Sequence, residues 1–227
     1  MSDIFKNPFT PHGFDQKALS SIEWINANRR LALSVIGTLT VVTVLTVFFF
    51  IRYQSVAATT TDKLAIAQGM LYQGQADQGL TLLNEIIARH EGSVPGSHAR
   101  LIKAQYLLTD GGYEEAEATV TPLITNGKPK EVVPLAYGIL GVIQENGQRI
   151  PDAITTYRTF LDKFPDHFMA PRMYESLGRA YELNNALSDA AATYEKLAAL
   201  YPSSPWSQRA QERIAVISGH MQQGKKN

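Results

Sequence analysis

The chain has 227 residues with 21 basic and 21 acidic groups and 44% hydrophobic residues, an average globular balance with room for one domain and one added segment. Residues 1–55 carry five basic and three acidic groups, which leaves 16 and 18 for residues 56–227, so no strong field draws that body onto nucleic acid or an acidic bilayer. The absence of cysteine excludes disulfides, iron–sulfur clusters and thiolate zinc sites, and fits either side of a membrane.

Residues 1–30 read as a tail. Asn7-Pro8-Phe9 resembles an endocytic tripeptide, but three residues carry almost no information beside an irregular tail. Phe14, Leu19, Ile22 and Ile25 give a short, ragged amphipathic face that suits a membrane surface. From Leu31 to Ile51 there is no charged residue, and a helix of that length, at about 1.5 Å per residue, matches a bilayer core. Arg29–Arg30 and Arg52 flank it, while Trp24, Phe48, Phe49, Phe50 and Tyr53 stand where an aromatic belt would lie. A soluble core helix would have to be apolar all round. A cleaved signal peptide ending at Ser55-Val56-Ala57 is the stronger competitor, yet the apolar run exceeds the usual ~7–15 residues. An uncleaved transmembrane anchor over 31–51 is therefore expected. Lys17, Arg29 and Arg30 against Arg52 and Lys63 tip its orientation, by a small margin, towards the preceding tail in the cytoplasm. Hydroxyls at Thr38, Thr40, Thr43 and Thr46 can bond back to carbonyls of their own helix; Thr40 and Thr43 are the candidate contact with a second membrane helix. Residues 52–61 are expected to form a short linker.

The remainder is self-similar. Ala116, Ala153 and Ala190 are equally spaced, and the same step relates Val120, Tyr157 and Tyr194, then Leu123, Phe160 and Leu197. Leu140-Gly141 matches Leu177-Gly178, and Pro134, Tyr137 and Pro165 match Pro171, Tyr174 and Pro202. Ala67, Gly79, Leu83 and Ile86 fit one step earlier, and Ile214-Ala215 one step later. Each unit reads as two helices: Tyr174, Leu177, Gly178 and Tyr181 lie at i, i+3, i+4 and i+7, Asn184-Asn185 turn the chain, and a second stripe follows. Pro134, Pro151 and Pro171 open helices, where a missing N–H costs little. Small residues at Gly141, Ala153, Gly178 and Ala190 would let backbones approach, and Tyr157, Phe160 and Tyr194 would fill the space between units. Lys103 stands where a leucine is expected, and Pro122 falls inside a second helix, which should be short or bent. The reading is all-α: a transmembrane helix, an α-solenoid of about four helix pairs over 62–219, a capping helix from Ser204 to Ser218, and a disordered tail at 220–227.

These residues resemble the tetratricopeptide repeat family, through Tyr and Leu-Gly in the first helix and Ala, aromatic and Leu or Phe in the second, closed by Pro. The match is strong over 131–203 and weak over 60–128. With its longer period, the layout of tail, single span and repeats resembles bacterial envelope proteins, including the ancillary subunit of the Sec translocon. The resemblance implies a solenoid that binds proteins in a concave groove of first helices. In this register the candidate groove comprises Leu64, Gln68, Leu71, Tyr72, Leu101, Gln105 and Leu108, then Arg172, Glu175, Arg179 and Glu182. Family members that grip a terminal carboxylate use clustered Lys, Asn and Arg there; that cluster is missing, and an apolar groove suits an extended or amphipathic segment. Packing of Leu64, Leu71, Leu101 and Leu108 against their own second helices is an equally good account of those four.

No catalytic constellation is visible. His12, His90, His98, His167 and His220 lie in turns, tail or helix ends without metal-ligand spacing, and Gly111-Gly112 lacks the Lys-Ser/Thr of a phosphate loop. Glu114, Glu115 and Glu117 open a helix, where negative charge suits the dipole. The expectation is a non-enzyme without cofactor, metal, nucleic-acid or small-molecule partner: an inner-membrane adaptor of the bacterial envelope with periplasmic repeats, binding other proteins. The alternative is a structural subunit of a membrane complex, held by its span and solenoid edge.

Overall fold

The computed structural model describes residues 28–224; the amphipathic face from Phe14 to Ile25 and Trp24 lie outside them. Nine helices occur among the described residues: α1 (Arg29–Tyr72), α2 (Ala76–Arg89), α3 (Val94–Thr109), α4 (Tyr113–Asn126), α5 (Val133–Asn146), α6 (Ile150–Lys163), α7 (Ala170–Leu183), α8 (Leu187–Leu200) and α9 (Pro205–Gly224). They fall into two compact units, divided between Ala58 and Thr59, and α1 contributes to both.

In the first unit, Arg29–Phe50 is long and apolar enough to cross a membrane, and none of it is buried within the protein. Its polar side chains are satisfied locally: Thr38 donates to the Ser34 carbonyl, Thr43 to Leu39 and Thr46 to Val42, each at 2.8 Å. A hydroxyl bonded this way adds little cost in an apolar medium. Residues 52–61, the expected short linker, are helical within α1. The run Tyr53–Thr61 has no glycine or proline to break the helix that the apolar segment begins.

The second unit is a solenoid of four helix pairs and a cap. First helices are α1 from Thr59, α3, α5 and α7; second helices are α2, α4, α6 and α8; α9 closes the stack. The matched columns of the second helices are core layers: Leu83, Val120, Tyr157 and Tyr194 are buried, as are Ile86, Leu123, Phe160 and Leu197. The partner column of first helices holds Ala67, Ala104, Gly141 and Gly178. Residue size compensates across each crossing: Ala67 and Ala104 accompany Leu83 and Val120, whereas Gly141 and Gly178 accompany tyrosines. A Cβ on Gly178 would lie 2.6 Å from Tyr194 Cε1, and one on Gly141 still closer to the fully buried Tyr157 ring. Only glycine fits beneath either ring.

The turns inside the four pairs share one conformation. Gly74, Gly111, Gln148 and Asn185 have φ of 77°, 83°, 60° and 57°, and the next residue of each turn bonds back to the first helix: Gln75 to Met70, Gly112 to Leu107, Arg149 to Gln144 and Ala186 to Tyr181, at 2.8–2.9 Å. These bonds close each first helix on a left-handed residue, where glycine is most at ease. Sequence departures find local solutions. Lys103 pairs with Glu115 at 3.0 Å. Helix α4, expected to be short or bent at Pro122, keeps the 14 residues of its equivalents and is not shortened. The bond that Pro122 forgoes would have gone to exposed Ala118, whose carbonyl water can serve. The tail expected from residue 220 is helical as far as Gly224, because α9 carries no breaker before that glycine.

The close approach makes Gly178→Ala destabilising by about 1–3 kcal/mol in urea unfolding of the full chain, since the buried Tyr194 ring has nowhere to go. Gly69→Ala, where nothing lies within 4 Å of the new Cβ, instead gains about 0.5–1 kcal/mol. Gln148→Gly gains up to about 1 kcal/mol by freeing the left-handed turn of its side chain.

Candidate functional site

Among the described residues, openings lie along the face formed by the first helices. Between α1 and α3 lies a depression of about 360 Å³ lined by Gln68, Leu71, Tyr72, Ile102, Gln105 and Tyr106. Ile102 and Gln105 are shared with the next, a depression of about 400 Å³ between α3, α5 and α7 that also meets Leu101, Leu108, Leu135 and Arg172. The third, about 500 Å³, lies between α7 and α9 and is lined by Glu175, Arg179, Glu182, Arg209, Glu212 and Arg213. Ten of the eleven candidate groove residues therefore line an opening on this face. Leu64 does not: it packs against the core of Ala67, Leu83, Ile86 and Ala99. Leu71 and Leu108 do both, packing inward while half-exposed, and Leu101 is 7% exposed at the base of its depression. Thr40 and Thr43 are exposed on α1 in the first unit.

Sequence reasoning missed the contribution of α5 and of the α6–α7 loop. Leu135, Gly138, Ile139 and Val142 stand in the columns of Arg172, Glu175, Ser176 and Arg179, so the repeat spacing alone could have found them. Phe168, Met169 and Met173 lack such a signal. Phe168 is 80% exposed.

Polarity changes along the face. At the C-terminal end, charges are spent on each other. Glu145 accepts two hydrogen bonds from Arg179, at 2.7 and 3.0 Å, and one from the Tyr157 hydroxyl at 3.0 Å. One unit on, Glu182 accepts from Tyr194 at 2.8 Å and from Arg213 at 3.1 Å through Nε, with Nη2 on its other oxygen. Arg209 donates to Glu175 at 2.6 Å, and Arg149 pairs with Glu117. Burial and the neighbouring carboxylates push the Tyr157 and Tyr194 hydroxyls well above the usual tyrosine range. Burial opposes the charge on Glu182, but the bonds from Arg213 and Tyr194 outweigh it and hold the carboxyl below its ordinary value. The same pairing, with Glu145 and Glu182 respectively, raises Arg179 and Arg213. Arg179 and Glu182, expected as ligand contacts, thus serve as ties between units. Among the described residues no group of three or more His, Asp and Glu side chains could hold a metal ion.

The sequence profile described as tetratricopeptide repeat matches residues 64–129 and 140–205, more than half of the chain. The chain belongs to the tetratricopeptide repeat family. Its repeats are protein-interaction scaffolds, so other proteins are its partners. Among solved structures, the tetratricopeptide-like repeats of a Podosopora anserina kinesin light chain superpose with a TM-score of 0.59 at 14% identity, covering 73% of this chain and 90% of that one. MamA (residues 41 to its end) from Desulfovibrio magneticus RS-1 gives 0.50 at 15% identity, over 72% and 96%. At such identity the likeness is one of fold. No curated protein matches the chain.

Because its carboxyl is held low in the fold, Glu182 contributes stability above its unfolded pKa, and that contribution is lost as pH falls through the depressed folded value. The gap in urea midpoint between wild type and Glu182→Gln should therefore be widest near neutrality and close in acid, below the ordinary carboxylate range. A gap that persists unchanged in acid would remove the pairing as its source.

Proposed function

We propose that this chain is a single-span inner-membrane adaptor of the bacterial envelope, with the residues before the span in the cytoplasm and the tetratricopeptide repeats in the periplasm, holding a partner protein near the bilayer for translocation or envelope assembly. The observation that carries the adaptor reading is the apolar depression between α3, α5 and α7. At the C-terminal end of this face Glu175, Arg179, Glu182, Arg209 and Arg213 are tied in pairs, whereas here leucine, isoleucine, valine and methionine line open space beside a bare Phe168. Exposed apolar surface of this kind is costly in a soluble scaffold and marks contact with another molecule.

Membrane attachment draws its support from the unburied 22-residue segment Arg29–Phe50, which carries no charge after its leading arginine pair. A structural subunit held by its span would use Thr40 and Thr43 as contacts. Against that, the Thr43 hydroxyl is already satisfied by the Leu39 carbonyl and needs no partner helix.

A reporter fused after Asn227 should report the periplasm: alkaline phosphatase active, green fluorescent protein dark. The reverse pattern would overturn the localisation and leave the fold intact. Cross-linking in membranes separates the two functional readings. Leu71→Glu with Leu108→Glu should release partners bound through the groove while the variant stays folded and membrane-bound. Retention of every partner would sink the groove assignment, and release only by changes at Thr40 and Thr43 would establish the structural subunit.

A further inference from the structure

Arg172 lines the apolar depression, is exposed, and makes no hydrogen bond or ion pair with another described residue. This sets it apart from Arg149, Arg179, Arg209 and Arg213 nearby, each of which is paired with a glutamate. No carboxylate lines the depression. The repeat does not require the arginine either, since the same column holds Leu135 and His98 in the two preceding units. A guanidinium set at the rim of an apolar wall, with no internal acid to occupy it, is suited to grip a carboxylate brought by another molecule.

The neighbouring side chains indicate the form of that molecule. Gln68 and Gln105 expose amides along the strip joining the two N-terminal depressions, and an amide both donates to and accepts from a peptide backbone. Met169 and Met173 supply a floor that adapts to varied apolar side chains. A volume of about 400 Å³ holds a few such side chains and no folded element. Resting on the adaptor reading of this face, we propose that the site takes an extended segment of a partner protein, apolar side chains filling the depression between α3, α5 and α7 and an adjacent Asp or Glu pairing with Arg172.

The test uses the full chain in lipid nanodiscs and dye-labelled synthetic peptides, Leu- and Phe-bearing in a Gly/Ser background and identical except for one Asp, Asn or Lys. Fluorescence anisotropy should show the Asp peptide binding about twofold to fivefold more tightly than the Asn peptide, as an ion pair of this exposure allows, with Lys weakest. Arg172→Glu, an exposed change that leaves the thermal melt in place, should invert the order. An Asp preference that survives Arg172→Glu overturns the assignment of Arg172. If all three peptides bind alike and Leu108→Glu abolishes them, the groove stands and the acidic specificity falls. If none binds, the site itself is overturned.

Discussion

Tyr194 lies with its ring over the backbone of Gly178 and its hydroxyl on Glu182, and Tyr157 repeats the arrangement over Gly141 and Glu145. This one contact couples the interior of a helix pair to its surface. A ring that large can enter the crossing only if the first helix gives up its side chain. Once there, its hydroxyl must find an acceptor, because a buried polar group without a partner costs more than the bond returns. The acceptor is a glutamate at the end of the same first helix. That carboxylate then takes an arginine from the next first helix or the cap, Arg179 in one case and Arg213 in the other. Each such arginine is close to half exposed, so the pair adds only about 0–1 kcal/mol; its role is to set which side chains the face can offer.

The earlier pairs solve the same crossing with Ala67 against Leu83 and Ala104 against Val120. Neither leucine nor valine has a hydroxyl to deliver. The positions of the glutamates are then free to hold Leu71 and Leu108, and the position of Arg179 holds Val142. The change from an apolar to a charge-paired face along the solenoid therefore follows from how the core is packed beneath it. The apolar half keeps its side chains open, and cohesion of the last two pairs with the cap falls to the charged half.

Most of this fold could be read from the sequence. Equal spacing of Ala116, Ala153 and Ala190, and of the columns around them, follows from a physical need: one pair cannot bury its apolar face, so each unit must present the same layers to the next. Small residues at the crossings were legible for the same reason, but Tyr157 and Tyr194, expected between units, lie over Gly141 and Gly178 of their own pair. Proline at the starts of α3, α5, α6 and α7 and the left-handed Gly74, Gly111 and Asn185 are local matters of backbone geometry that suit the residue type, whereas Gln148 is left-handed beside a Gly147 that is not. The apolar run of α1 was equally plain, since length without charge is a property of composition. Pro122 and residues 52–61 lie within uninterrupted helices, because a helix continues where solvent can serve its lost bond and where nothing breaks it.

What the tertiary structure decided is which of the face residues are still available. In the sequence, Arg172, Arg179 and Glu182 look alike, as alternating charges on one helix. Only the placement of Glu145, Tyr194 and Arg213, each drawn from a different helix, commits Arg179 and Glu182 to internal bonds and leaves Arg172 beside leucines and methionines. Likewise Leu64 and Leu108 occupy the same helix face in sequence, yet one is absorbed by the core and the other opens onto a depression. The sequence by itself determined the repeat, the membrane-compatible helix and the layers of the core, because each depends on spacing along one chain. Availability for a partner depends on distances between residues remote in sequence, and these exist only once the pairs have stacked.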